Sequence, residues 1–238
     1  MKKPLKITIW TAGITVGLVL IVAIVFLFNF LSAIKSMTPA ETQSINDSVW
    51  CIKDRFVNAF IFKGKDGYIL IDAGISEKNF SRELSKTGIN PDQITTLLLT
   101  HTDGDHIGAT GLFRNAAVYL HKEEEQMING TTGKTKFAKT KWKYGPYKLL
   151  ENDETANYNG INIKIIHTPG HTPGSSCFIV GDTYLVTGDN LIIKEGKYVH
   201  FVEKFNMDTL KQEESLKTLP DPGTFKYILT GHNGIVKF

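Results

Sequence analysis

Cysteine is nearly absent from this 238-residue chain, which has only Cys51 and Cys177. That excludes a disulfide-stapled scaffold and any cysteine-rich zinc module. Both lie in apolar strand contexts, where a buried free thiol is the default. Net charge is also small, +3, with 42% hydrophobic residues, so a disordered chain is excluded. The 21 glycines follow no three-residue period, which excludes a collagen-like chain. The first 35 residues lack Asp and Glu altogether, yet hold Lys2, Lys3, Lys6 and Lys35. Removing those four from the 27 basic residues leaves 23 against 24 acidic ones. The basic balance therefore belongs to the N-terminus, and no nucleic-acid partner is expected of the rest.

Long apolar runs are absent after residue 34, but one precedes it. Residues 7–34 carry no charged side chain. As a helix, residues 7–28 reach roughly 33 Å, enough for a hydrocarbon core of ~30 Å. Trp10 suits the interface. The competing readings are a cleaved signal peptide and a buried core helix. A signal core is shorter and ends in small residues, and no such triplet follows here. An uncleaved single-pass anchor is expected over residues 1–35, with residues 36–47 as a polar tether. Three lysines precede the span, so the N-terminus is expected in the cytoplasm and residues 48–238 outside the cell membrane.

The remainder alternates strands and helices. Strands are expected at 49–52, 56–62, 68–71, 95–100, 116–120, 161–167, 176–180, 183–187 and 225–229. Helices are expected at 77–86, near 105–114 and at 208–218, with Leu210, Ser215, Leu216 and Leu219 near one face. This is an α/β pattern with helices covering sheets.

The chemistry is concentrated in Thr100-His101-Thr102-Asp103-Gly104-Asp105-His106. Two imidazoles and two carboxylates occupy six positions directly after an apolar strand. Such crowding of carboxylates is costly unless cations relieve it, and divalent metals do so. His171, Asp189 and His232 each follow an apolar run and a turn-forming residue. A rigid sheet presents polar groups at one rim in this way.

This set, together with the Asp-Ala-Gly element at Asp72, resembles the metallo-β-lactamase-fold hydrolase superfamily over residues 48–238. The resemblance implies a four-layer αβ/βα sandwich with a dinuclear metal site between the sheets. Carried over position by position, site one is His101, Asp103 and His171, and site two is Asp105, His106 and His232. Asp189 bridges them. Asp72 is read either as a partner that orients a ligand histidine or as a turn-forming strand end. The family usually has His where this chain has Asp103, and a carboxylate can coordinate in its place. Three carboxylates and a bridging hydroxide then balance two divalent ions. Zn²⁺ is the expected metal, with Mn²⁺ or Fe²⁺ as oxygen-preferring competitors. A mononuclear site two, with Asp103 idle, is the alternative.

Two cations sharing a water lower its pKa toward neutrality, and the hydroxide would attack an acyl carbon or a phosphorus. Asp105 would orient that nucleophile and relay its proton. The family's true β-lactamases generally lack an acidic residue at the bridging position, so the resemblance at Asp189 argues against lactam hydrolysis. The expected substrate is a small ester, thioester or lactone, as in the glyoxalase-II and lactonase branch. A cell-surface phosphodiesterase or nuclease is the alternative. No protein partner is expected, and lipid contact is expected only through the N-terminal helix.

Six lysines, at 134, 136, 139, 141, 143 and 148, interleave with Trp142, Tyr144 and Tyr147. They read as a solvated insert whose aromatics pack on the body, or as a lid for an anionic substrate. Glu123, Glu124 and Glu125 are expected to offset them. Gly133-Lys134-Thr135 lacks the upstream glycine of a phosphate loop, since position 128 is Ile128. His121, His167 and His200 are expected to be structural.

Overall fold

The computed structural model describes residues 4–134, 139–140 and 142–238, with side chains from residue 15 onward. Lys2, Lys3, Lys136 and Lys141 therefore lie outside the described residues, and the side chains of Lys6 and Trp10 are likewise not described. The chain divides into two compact units, Met1–Met37 and Thr38–Phe238.

The first unit is one helix, α1 (Pro4–Lys35). Its segment Thr15–Lys35 is long and apolar enough to cross a membrane. Leu18, Val19, Leu20 and Ile21 are each more than half exposed. Four consecutive positions cover every face of a helix, so α1 has no single buried stripe. That removes the core-helix reading.

The second unit starts with β1 (Gln43–Asn46), β2 (Val49–Asp54), β3 (Val57–Lys63) and β4 (Tyr68–Ile71). Helix α2 (Glu77–Ser85) follows, capped by Ser76, then β5 (Ile94–Leu98) and the single turn α3 (Gly104–Ile107). After β6 (Ala117–His121) come the short α4 (Glu125–Ile128) and β7 (Lys148–Leu150). These seven strands form one sheet in sequence order. The tether expectation needs correction, because Gln43–Asn46 pair with β2 as an edge strand. Polar edge residues such as Asn46, bonded to the Tyr184 hydroxyl at 2.6 Å, hide the strand from an apolar-pattern search.

The second half supplies β8 (Thr155–Tyr158), β9 (Ile161–His167), β10 (Ser176–Val180) and β11 (Tyr184–Gly188). A separate hairpin, β12 (Leu191–Lys194) and β13 (Lys197–His200), precedes α5 (Thr209–Leu216). Strands β14 (Tyr227–Thr230) and β15 (Ile235–Lys237) complete a six-stranded sheet, ordered β15-β14-β11-β10-β9-β8.

Strand periodicity builds the layers. In β3, Phe60 and Phe62 point between the sheets, where they meet Ile69, Leu98, Ile165 and Phe178. Ala59 and Ile61 face the other way, onto Phe80 and Leu84 of α2. In β10, Phe178 joins the inter-sheet core while Cys177 packs with Leu216 and Leu219 beside α5. Each central strand is buried on both faces, so it reads as continuously apolar. The layers are helix, sheet, sheet, helix. Leu210, expected on the buried face of α5, is 75% exposed, and Gln212, Ser215 and Leu216 form that face instead. Cys51 and Cys177 are both free and buried.

Candidate metal centre

Asp72 follows β4, His101 follows β5, His171 follows β9, Asp189 follows β11 and His232 follows β14. Strands β4 and β5 are parallel, as are β11 and β14. The carboxyl ends of each pair therefore face one rim, and the two sheets bring their loops together there. All seven proposed donors, His101, Asp103, Asp105, His106, His171, Asp189 and His232, fall into three overlapping groups. In each group the candidate ligand atoms lie within 4.8 Å of one another: His101, Asp103 and His171; His101, His106 and Asp189; Asp105, His106 and His232.

Asp189 holds the groups together. Its Oδ1 is 3.1 Å from His106 Nε2 and 3.0 Å from His232 Nε2, and its Oδ2 is 3.4 Å from His171 Nε2. Asp103 Oδ2 is 3.0 Å from His171 Nε2 and 3.5 Å from His101 Nε2. Asp105 Oδ2 is 3.5 Å from His232 Nε2.

Every imidazole is anchored by its other nitrogen. His106 Nδ1 meets Asp72 Oδ2 at 2.8 Å, and His101 Nδ1 meets Thr100 Oγ1 at 3.0 Å. His171 Nδ1 meets Asn206 Oδ1 at 3.1 Å, and His232 Nδ1 meets the Phe56 carbonyl at 2.6 Å. A carboxylate, amide or backbone oxygen there fixes the proton on Nδ1 and leaves the Nε2 lone pair facing inward. Asp72 is itself oriented by the Thr100 amide and hydroxyl, both at 2.8 Å. It sits at φ +62, a left-handed conformation that a short polar residue tolerates.

Backbone contacts at glycine set the close approaches. A Cβ on Gly188 would lie 2.3 Å from Thr100 Oγ1, and one on Gly108 would lie 1.9 Å from the Ile75 carbonyl oxygen. The first contact brings Asp189 against the His101 strand. The second locks α3, and with it His106, onto the turn after Asp72.

Some determinants are invisible in the sequence. The expectation that Glu124 offsets lysines is corrected: it is fully buried. Its Oε1 accepts from the Thr102 amide and hydroxyl at 2.8 and 2.7 Å. Its Oε2 accepts from the Thr172 hydroxyl and Gly174 amide at 2.7 and 2.9 Å. One carboxylate thus ties the His101 loop to the His171 loop. Asn206 and the Phe56 carbonyl were also missed. Trp142, Tyr144 and Tyr147 pack against the α2-side core as expected, but Lys134 is only partly exposed and is ion-paired. Its ammonium lies 2.6 Å from Asp103 Oδ2. His121 and His167 stack at 4.0 Å away from the centre.

The electrostatics favour cations. Burial opposes ionisation of Asp189 and Asp103. Even so, His232 and His106 hold the first well below the usual carboxylate range, and His101, His171 and Lys134 do the same for the second. Burial also opposes a charged His106, yet Asp189, Asp72 and Asp105 hold it well above its ordinary value. His232 is raised against burial by Asp189 and Asp105, whereas burial and the neighbouring His106 lower His101.

The metallo-beta-lactamase superfamily profile matches residues 52–232. The chain belongs to this superfamily. It is 29% identical over 185 residues to the probable metallo-hydrolase YqgX of Bacillus subtilis, covering 74% of this chain and 84% of that one. It is 22% identical over 225 residues to the human acyl-coenzyme A thioesterase MBLAC2, covering 80% of each. Among solved structures, a metallo-beta-lactamase family protein of Thermus thermophilus superposes with a TM-score of 0.61 at 22% identity. That superposition covers 82% of this chain and 76% of that one. This likeness shows the shared sandwich. The chain is a metallo-hydrolase of the superfamily, whose members usually bind divalent metals. The donor set fits such ions: among the described residues, His101 Nε2, His106 Nε2 and Asp189 Oδ1 are buried without a hydrogen-bond partner. Orphaned buried acceptors aimed at one space are costly unless something occupies it.

Proposed function

We propose that this protein is a membrane-anchored hydrolase that cleaves a small acyl ester, thioester or lactone at a two-metal centre. His101, Asp103 and His171 would hold one ion, Asp105, His106 and His232 the other, and Asp189 would bridge them. Zn²⁺ is the favoured ion on the imidazole count, with Mn²⁺ or Fe²⁺ as oxygen-preferring competitors. Bound there, the ions would supply Lewis acidity and acidify water. The observation that carries the reading is the convergence of four Nε2 atoms and three carboxylates, with every Nδ1 anchored elsewhere.

The chain's own residues do the rest. Asp105, the most exposed of the three carboxylates with 26% of its side chain accessible, orients the attacking water and takes its proton. The water oxygen bonds to the acyl carbon, the bond to the leaving thiol or alcohol breaks, and Asp105 returns the proton to that group. A cavity of about 470 Å³ adjoins Asp103 and is lined by Ile75, Ile107 and Met127. That is room for a short acyl chain. Lys139, Lys143 and Tyr144 line the same cavity. This favours an anionic substrate, such as a thioester of a phosphate- or carboxylate-bearing thiol, over a neutral lactone. The thioesterase relative supports the thioester class.

The test is a panel of thioesters, lactones and phosphodiesters offered to the full-length protein in detergent. Thioester cleavage abolished by chelation and by Asp189→Ala is expected. Cleavage that survives both would sink the two-metal reading. Preferential phosphodiester cleavage, falling steeply with salt, would move the assignment to the alternative.

A further inference from the structure

Lys134 brings a cation of the chain's own into the centre. Its ammonium has three hydrogens, and three acceptors receive them: Asp103 Oδ2 at 2.6 Å, His171 Nε2 at 2.8 Å and the Phe205 carbonyl at 2.7 Å. Its side chain is 22% exposed. Two of the three side chains in the His101, Asp103 and His171 group are thus bonded to this ammonium. His171 has its Nδ1 turned to Asn206, so its Nε2 lone pair is the atom that meets the ammonium. Among the described residues, no lysine reaches Asp105, His106, His232 or Asp189.

Charge explains the pairing. The sequence places a carboxylate at 103 where the family resemblance leads one to expect an imidazole, and Lys134 is bonded to that carboxylate. With the ammonium in place, three carboxylates, one ammonium and a single divalent ion sum to zero. A buried centre favours that neutral state. A second divalent ion beside the ammonium would leave a net +2, or +1 with a bridging hydroxide, in a poorly solvated space. It would also have to compete for the same Asp103 oxygen and the same His171 nitrogen.

Resting on the two-metal reading above, we propose that Lys134 is a tethered competitor for the first site. The two sites therefore fill in order. The Asp105, His106 and His232 site, with Asp189, fills first. The His101, Asp103 and His171 site fills only when the ammonium is displaced. The resting protein at low free metal is a one-metal protein with a lysine in the His101, Asp103 and His171 site.

The test uses the full-length protein in detergent, stripped by chelator and titrated with Zn²⁺ alone. Occupancy is read by calorimetry and by elemental analysis after equilibrium dialysis. The wild type should bind one ion tightly and a second ~10–100-fold more weakly, the range seen when a group touching the ligands is altered. Lys134→Met, close in volume and uncharged, should tighten the second step ~10–100-fold and leave the first within about threefold. Lys134→Gln serves as a second variant, and near-ultraviolet circular dichroism of each checks the fold. Two steps of equal affinity in the wild type, or two steps unmoved in both folded variants, would overturn the proposal alone. Absence of any zinc binding in wild type and variants would overturn the two-metal reading and this inference with it.

Discussion

At Asp189, one carboxylate faces three imidazoles and lies only 4% exposed. Among the described residues no other carboxylate approaches histidines of both sites so closely, so its charge cannot be replaced from nearby. Asp189→Asn keeps the shape and removes the charge. It should lower both metal content and kcat/KM by ~10–100-fold or more, measured by elemental analysis and steady-state kinetics. His121 makes a different point at the same scale. Burial, the stacked His167 and Lys122 push its pKa down from 6.5 to about 4. The folded protein therefore resists a proton that the unfolded chain accepts. The stability this neutral imidazole provides is complete above about pH 6.5 and is lost as pH falls toward 4. Thermal melts between pH 7.5 and 4.5 should show a smaller acid-induced drop for His121→Gln than for the wild type. Equal drops would rule out His121 as the source.

At the scale of elements, the centre depends on loops held to one another rather than on any one strand. Glu124, just before α4, joins the Thr102 and Thr172 loops through four donors. Burial raises its pKa, so the ionised carboxylate is held in place by those bonds against its desolvation. Glu124→Ala leaves buried donors without partners. The expected cost is on the order of 1–3 kcal/mol for each one not rescued by water, read by denaturant unfolding. Because Thr102 and Thr172 flank His101 and His171, the same variant should bind the site-one metal more weakly, even at temperatures where it stays folded.

At the scale of the whole molecule, the two units carry different duties. The Thr38–Phe238 unit contains three apolar clusters and all seven donors. It is expected to stay soluble and to retain its metal when produced without α1. The full chain should need detergent, because α1 exposes Leu, Val, Ile and Phe on every face over a membrane-spanning length. With three lysines before the span, protease added to intact cells should digest the Thr38–Phe238 unit. Complete protection would place it on the cytoplasmic side.

Local pattern made much of this legible. A nearly continuous apolar run such as 176–180 marks a strand buried on both faces, and the alternation of 161–167, with Ile163 and Ile165 buried and Asn162 and Lys164 exposed, marks one buried on a single face. Four donors crowded into residues 101–106 after an apolar strand point to a candidate metal site, because the repulsion within such a cluster is itself a local property. The edge strand β1, the short strands β7, β8 and β15 and the β12–β13 hairpin escaped because three or four polar or mixed residues carry no periodic signal. Leu210 misled because a short helix has too few turns to define its buried face.

What the chain determines by itself is therefore the core strands, the donor types and the apolar N-terminal helix, since each follows from nearest neighbours along the backbone. Which nitrogen of each histidine faces inward, which glutamate of three is buried, and which lysine lies on Asp103 were decided only by tertiary structure. Apart from His101, whose Nδ1 meets the adjacent Thr100, those choices depend on residues 22 to 176 positions apart in the chain. The contacts form only when both sheets have packed, and no local energy distinguishes Glu124 from Glu123 or Lys134 from Lys139 before then.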